Sequence, residues 1–156
     1  MKKPLIYLDT SVIGGCYDQE FSQWSNGLVE DIRNGHFAFA TSEIVALEIV
    51  RAPDHIQVLY GDLVENCAPF MCIPNREVLE LVDAYLGHGV LKQDYRNDML
   101  HIALCTVHGI DVVVSWNFKH IVRFDKIVKF NAVNIEQGYK PIAIYSPREV
   151  TRYGKD

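Results

Sequence analysis

The chain has 156 residues, 49% of them hydrophobic and 22% charged, with a formal net charge of −5. Those values describe one ordinary globular domain over residues 1–156, large enough to bury a good core, and they argue against a generic polyanion binder. No apolar run approaches the ~20 residues of a membrane span, and Met1-Lys2-Lys3-Pro4 leads into too short an apolar run for a signal peptide, so the expected location is the cytoplasm.

In chain order, Leu5-Ile6-Tyr7-Leu8 reads as a buried strand that ends on Asp9, with Thr10, Ser11 and a tight turn at Gly14-Gly15 behind it. Residues 20–34 have helical spacing through Phe21, Trp24, Leu28, Val29 and Ile32, and Gly35 suits the end of that helix. Residues 36–40 read as a short strand. Thr41 or Ser42 is a natural cap for a helix over 43–51, which stops before Pro53. A further helix runs from Asp54, its expected cap, to about Asn66. Residues 70–73 form a short strand, and 75–86 a helix ended by Gly87-His88-Gly89. Residues 95–108 are helical and closed by Gly109. The three valines within 111–115 make a strong buried strand. Residues 126–130 and 142–145 read as shorter strands. Alternating strands and helices predict an α/β fold with a mostly parallel central sheet and helices on both faces, a three-layer α/β/α arrangement.

The chemistry concentrates where strands end. A carboxylate at the carboxyl end of a strand in an open α/β sheet lies at the ligand-binding edge, and a buried unpaired charge is costly. Asp9 holds that position. Glu48 lies on a helix whose apolar neighbours Ile44, Val45, Leu47 and Ile49 predict burial, and Asp98 opens the apolar helix Met99–Leu104. Asp98 also suits the first turn of a helix for dipole reasons alone, and Asp94 lies one turn earlier. Ser115 and Asn117 leave the valine strand. Three acidic oxygens with neutral oxygen donors suit Mg²⁺ or Mn²⁺, although the spacing of three acids in an acidic protein is not diagnostic by itself.

These segments, Leu8-Asp9-Thr10-Ser11, Ser42 with Glu48, Asp98-Met99-Leu100-His101-Ile102-Ala103 and Val113-Val114-Ser115-Trp116-Asn117-Phe118, occur in the order found in PIN-domain ribonucleases. The chain resembles that family, especially the VapC-type toxins of bacterial toxin–antitoxin pairs, over roughly residues 5–130. The resemblance implies a PIN-like fold and a metal-dependent endoribonuclease. Asp9, Glu48 and Asp98 match the acidic metal-binding residues, Thr10 or Ser11 a hydroxyl position beside the first acid, and Ser115 the Thr or Ser before the fourth acid. Asn117 stands where that fourth acid is commonly Asp. This departure removes one negative charge and puts a second metal in doubt. The implied partners are an RNA substrate, contacted through Thr10, Ser11 and Lys119, an antitoxin protein, and a second copy of the chain as a homodimer. The alternative is a catalytically weak PIN-like module that binds RNA or protein.

Other features carry less. Cys16, Cys67, Cys72 and Cys105 form no CxxC pair and read as reduced thiols. Residues 115–156 hold eight basic and four acidic side chains on an otherwise acidic chain, which permits a local phosphate-binding surface but equally describes a solvated face. Tyr17, Phe21 and Trp24 could stack on bases, with packing the simpler reading. His101 reads as a helix residue with a local hydrogen bond, and His120 as a packing or capping residue. A phosphatase using Asp9 as nucleophile expects a second acid two residues on, where Ser11 stands. A response-regulator receiver expects an acidic pair near the first strand, which is not convincing here.

Overall fold

The computed structural model describes residues 2–154. Five strands form one all-parallel sheet: β1 (Leu5–Leu8), β2 (Ala38–Ser42), β3 (Phe70–Cys72), β4 (Val112–Val114) and β5 (Ala143–Tyr145), in the order β3-β2-β1-β4-β5. The eight α-helices are α1 (Thr10–Gly15), α2 (Ser22–Arg33), α3 (Glu43–Ile49), α4 (Asp54–Cys67), α5 (Arg76–Gly87), α6 (Arg96–Val107), α7 (Phe124–Glu136) and α8 (Pro147–Val150). Among them α1, α2 and α4 pack on one another, with α8 on α2, while α5 packs on α6 and α7. The helices thus cover both faces of the sheet, as an all-parallel sheet requires.

Strand order decides where a ligand can sit. From β1 the chain steps outward through β2 to β3, then returns to place β4 on the other side of β1. The crossovers diverge at β1 and β4, and the crevice above their carboxyl ends is the general ligand position of such sheets. Ile6, Tyr7 and Leu8 are fully buried, and Tyr7 and Leu8 pair in register with Val113 and Val114. Asp9 and Ser115 are the next residues of the two strands, so the register sets them side by side.

Three local expectations change. The Gly14-Gly15 segment is not a turn but part of α1, whose cap is Asp9 itself, accepting from the Val12 N–H. Residues 126–130 belong to α7 rather than to a strand. Their apolar residues fit a two-residue alternation over five positions, but Ile127, Phe130 and Val133 continue at helical spacing into the core. Asp54 is not a cap: α4 starts on it, with Pro53 at the capping position. Thr41 yields to Ser42, whose hydroxyl accepts from the Val45 N–H as the cap of α3. All four cysteines are free, and burial pushes the Cys72 thiol up to about 12, which leaves it inert.

Candidate active site

Asp9 is buried and carries three donors. The Ser11 hydroxyl donates to Oδ1 at 2.5 Å, the Val12 N–H donates to the same oxygen at 3.3 Å, and the Ser115 hydroxyl donates to Oδ2 at 2.5 Å. Ser11 also accepts the Trp116 N–H and Ser115 the Asn117 N–H, so each hydroxyl bridges the first acid to the loop that leaves β4. Burial pushes the Asp9 carboxyl above the ordinary carboxylate range. The charge of His101 and the three donors oppose that shift without cancelling it.

Glu48 forms a second group. Its Oε1 accepts from the Thr10 hydroxyl at 2.8 Å and faces His101 Nε2 at 2.8 Å. The helix that carries it is amphipathic: Val45 and Ile49 are buried, whereas Leu47, expected inside, is 62% exposed. Glu48 itself is one-third exposed at the rim. His101 is buried, and its bonds are long-range rather than local. Nδ1 meets the Tyr7 hydroxyl at 2.6 Å, and that hydroxyl meets Ser42 Oγ at 2.8 Å. Burial pushes the His101 pKa down, but the bond to Glu48 and the charges of Asp9, Glu48 and Asp98 carry it above the usual value. Burial likewise pushes Glu48 up, and the His101 bond and charge, with Thr10, hold it below its usual value. Both directions describe an ion pair. His101 thus links Glu48 through Nε2 to the Tyr7 hydroxyl through Nδ1, and that hydroxyl is bonded in turn to Ser42 Oγ.

Asp98, half-buried near the start of α6, meets His120 Nδ1 at 3.0 Å through Oδ2. Asn117 turns its carboxamide oxygen inward on its own loop, where it accepts the N–H groups of Lys119 and His120. Lys119 is exposed, with Nζ 5.9 Å from the centre of the Tyr95 ring. Asp94 lies in a single 3₁₀ turn (Gln93–Tyr95) before α6 and is exposed.

The structure therefore bonds Asp9 to Ser11 and Ser115 and Thr10 to Glu48, and it gathers the three acids around His101 as separate groups. Among the described residues, no three His, Cys, Asp or Glu side chains converge to hold a metal. The chemistry of the donors still suits a hard divalent cation: carboxylates and hydroxyls, with the Asp9 carboxyl buried between them. Sequence reasoning missed Tyr7 and the reach of His101 and His120. The one signal was a Tyr inside an otherwise aliphatic strand.

Parallel sheet, switch-point crevice and acidic edge together define an α/β protein with a candidate ligand site above β1 and β4. The PIN domain family model matches residues 6–128, and the chain belongs to the PIN-domain family, whose members are generally nucleases. The chain is similar to one in the crystal structure of VapBC2 from Rickettsia felis bound to a DNA fragment from their promoter. The two share 13% identity, with a TM-score of 0.56, over 91% of this chain and 98% of that one. At that identity the likeness speaks for the fold alone. None of the curated proteins compared with the chain matches it.

Proposed function

We propose that the protein is a Mg²⁺- or Mn²⁺-dependent endoribonuclease that hydrolyses RNA phosphodiester bonds as the toxin of a toxin–antitoxin pair. The supporting observation is Asp9, a buried carboxylate at the switch point of a PIN-family sheet, with neutral donors on both oxygens. In this reading Asp9, Glu48 and Asp98 hold the cation. When bound, it would supply charge to the phosphate and lower the pKa of an attacking water. Ser11 and Ser115 orient Asp9, Thr10 and His101 orient Glu48, and His120 orients Asp98. Thr10, Ser11 and Lys119 contact the substrate, with the Lys119 ammonium suited to a backbone phosphate.

A cleft of about 760 Å³ lies beside Glu48, bordered by Thr10, Ile44, Leu47, Val50, Arg51 and Asn97. Leu47 and Val50 are 62% and 71% exposed. Such an apolar rim beside an acidic site suits a partner chain that covers it, and supports the antitoxin.

The test is cleavage of a mixed structured RNA pool with Mn²⁺ or Mg²⁺, using the protein and Asp9→Asn. Cutting that requires metal and vanishes in Asp9→Asn is expected. Equal cutting by both proteins removes Asp9 from the site, and no cutting by either favours the second reading. That reading, a weak or inactive module that binds RNA or protein, rests on Asn117, whose carboxamide oxygen is spent on its own loop. Asn117→Asp separates the two: a large gain in metal affinity and cleavage marks a site weakened at that position.

A further inference from the structure

Beside the acidic site the charge reverses. A pocket of about 350 Å³ is lined by Lys92, Tyr95, Lys119, His120, Arg123 and Lys126, four permanent cations on a chain whose net charge is −5. Arg123 is paired with Asp125 at 2.7 Å, and His120 with Asp98 at 3.0 Å. Lys92, Lys119 and Lys126 have no carboxylate within salt-bridge distance among the described residues. Lys126 is fixed in place: Nζ donates to the Val90 carbonyl at 2.8 Å, in the loop that closes the pocket. The helix α7 begins here without a side-chain cap, so its dipole adds positive potential to the same space.

Two features aim this pocket at a strand rather than at a lone anion. His120 belongs to both places, with one face lining the basic pocket and Nδ1 on Asp98, so the pocket continues directly from the acidic site. The Tyr95 ring lies 3.9 Å from the His120 ring and under the Lys119 ammonium, an aromatic surface at the pocket's floor. Cations spaced along an aromatic surface are how proteins follow a single-stranded backbone.

We propose that this pocket is a backbone subsite for single-stranded nucleic acid, in which Lys92, Lys119, Arg123 and Lys126 hold phosphates adjoining the one at the acidic edge. The identity of the strand rests on the nuclease reading; the subsite itself is a matter of binding.

The test is fluorescence anisotropy with a labelled 12-nucleotide RNA in EDTA, where cleavage does not intervene. Lys92→Ala/Arg123→Ala removes two exposed pocket cations. Lys2→Ala/Lys140→Ala removes the same charge from segments that precede β1 and β5, at the opposite edge of the sheet. The pocket pair is expected to weaken binding about tenfold and to lower the slope of log affinity against log salt by about 1.4, two contacts at ~0.7 each. The control pair is expected to stay within about twofold of the unaltered protein, since its cations touch no phosphate. Equal losses from both pairs, or no loss from the pocket pair, overturn the subsite. So does an RNA that fails to bind while a polyglutamate peptide binds through Lys92 and Arg123, which would mark an acidic protein partner instead. Cleavage is scored separately: if neither the protein nor Asp9→Asn cuts RNA while RNA binding depends on the pocket pair, the nuclease reading falls and the subsite stands.

Discussion

Tyr7 has the only hydroxyl in β1, and that hydroxyl sits between two buried partners, His101 Nδ1 and Ser42 Oγ. Tyr7→Phe leaves His101 Nδ1 without its partner and Ser42 Oγ with only the Val45 N–H. The loss of a buried partner costs about 1–3 kcal/mol, read as a lowered thermal midpoint. A midpoint that does not move would show that His101 and Ser42 find each other without it. The Glu48–His101 pair gives a pH signature. His101 is raised above its ordinary 6.5, so its contribution is complete below that pH and is lost as pH rises through the folded value. Glu48 is held below its ordinary 4.5, so its contribution is complete above that pH and is lost as pH falls through the folded value. The difference in thermal midpoint between the protein and Glu48→Gln should therefore peak between about pH 5 and 6. A flat difference from pH 4 to 9 would mean that the pair does not titrate. Asp9 and Ser115 were legible as residues because strand ends can be seen in a sequence. His101 was not, because a His in an apolar helix gives no sign of which distant strand its ring reaches.

The first crossover shows how tightly an element can be specified. At Gly15 of α1, a Cβ would lie 2.6 Å from Ser25 Oγ and 2.7 Å from Trp116 Nε1, two atoms that bond to each other at 2.8 Å. Phe21 stacks on the same indole with ring centres 4.1 Å apart. Gly15→Ala must displace Trp116, and with it the loop that carries Ser115 and Asn117. Overpacking of this kind costs about 1–3 kcal/mol, and quenched or shifted Trp fluorescence should accompany the lower midpoint. An unchanged spectrum would show that the indole stays where it is. From sequence, two adjacent glycines signal a turn. The reason for one of them here is space for a Trp a hundred residues later, which no local pattern displays. The type of β1, β2, β3, β4 and β5 and of α2, α3, α4, α5 and α6 was legible from apolar patterns, caps and bounding turn residues. The misread residues 126–130 were too few to separate a period of two from one of 3.6.

At the scale of the molecule, the C-terminal segment is tied to α2. Asp31, buried on that helix, accepts from the Thr151 hydroxyl and the Arg152 N–H, both at 2.8 Å, and Gly27 leaves room for Tyr153. Asp31→Ala removes both bonds and strands a buried hydroxyl, at a cost of about 1–3 kcal/mol. Hydrogen exchange should then quicken at Arg152 and Tyr153 before it does in β1. If exchange there is unaltered, the segment is held by packing alone. The parallel sheet with helices on both faces followed from the alternation of elements. The charge separation did not: the basic excess of residues 115–156 was visible as a count, but only the fold shows Lys119, Arg123 and Lys126 facing Lys92 across one pocket.

The bond between Ser115 and Asp9 spans 106 residues. At synthesis rates of about 5–20 residues per second, the first acid waits on the order of 5–20 s for its partner to be made. During that interval the growing chain has Asp9, Thr10 and Ser11 but neither β4 nor the loop beyond it. On the nuclease reading, the growing chain therefore carries no assembled catalytic edge until Ser115 has been made. A message cut short before codon 115 yields a fragment without an assembled catalytic edge.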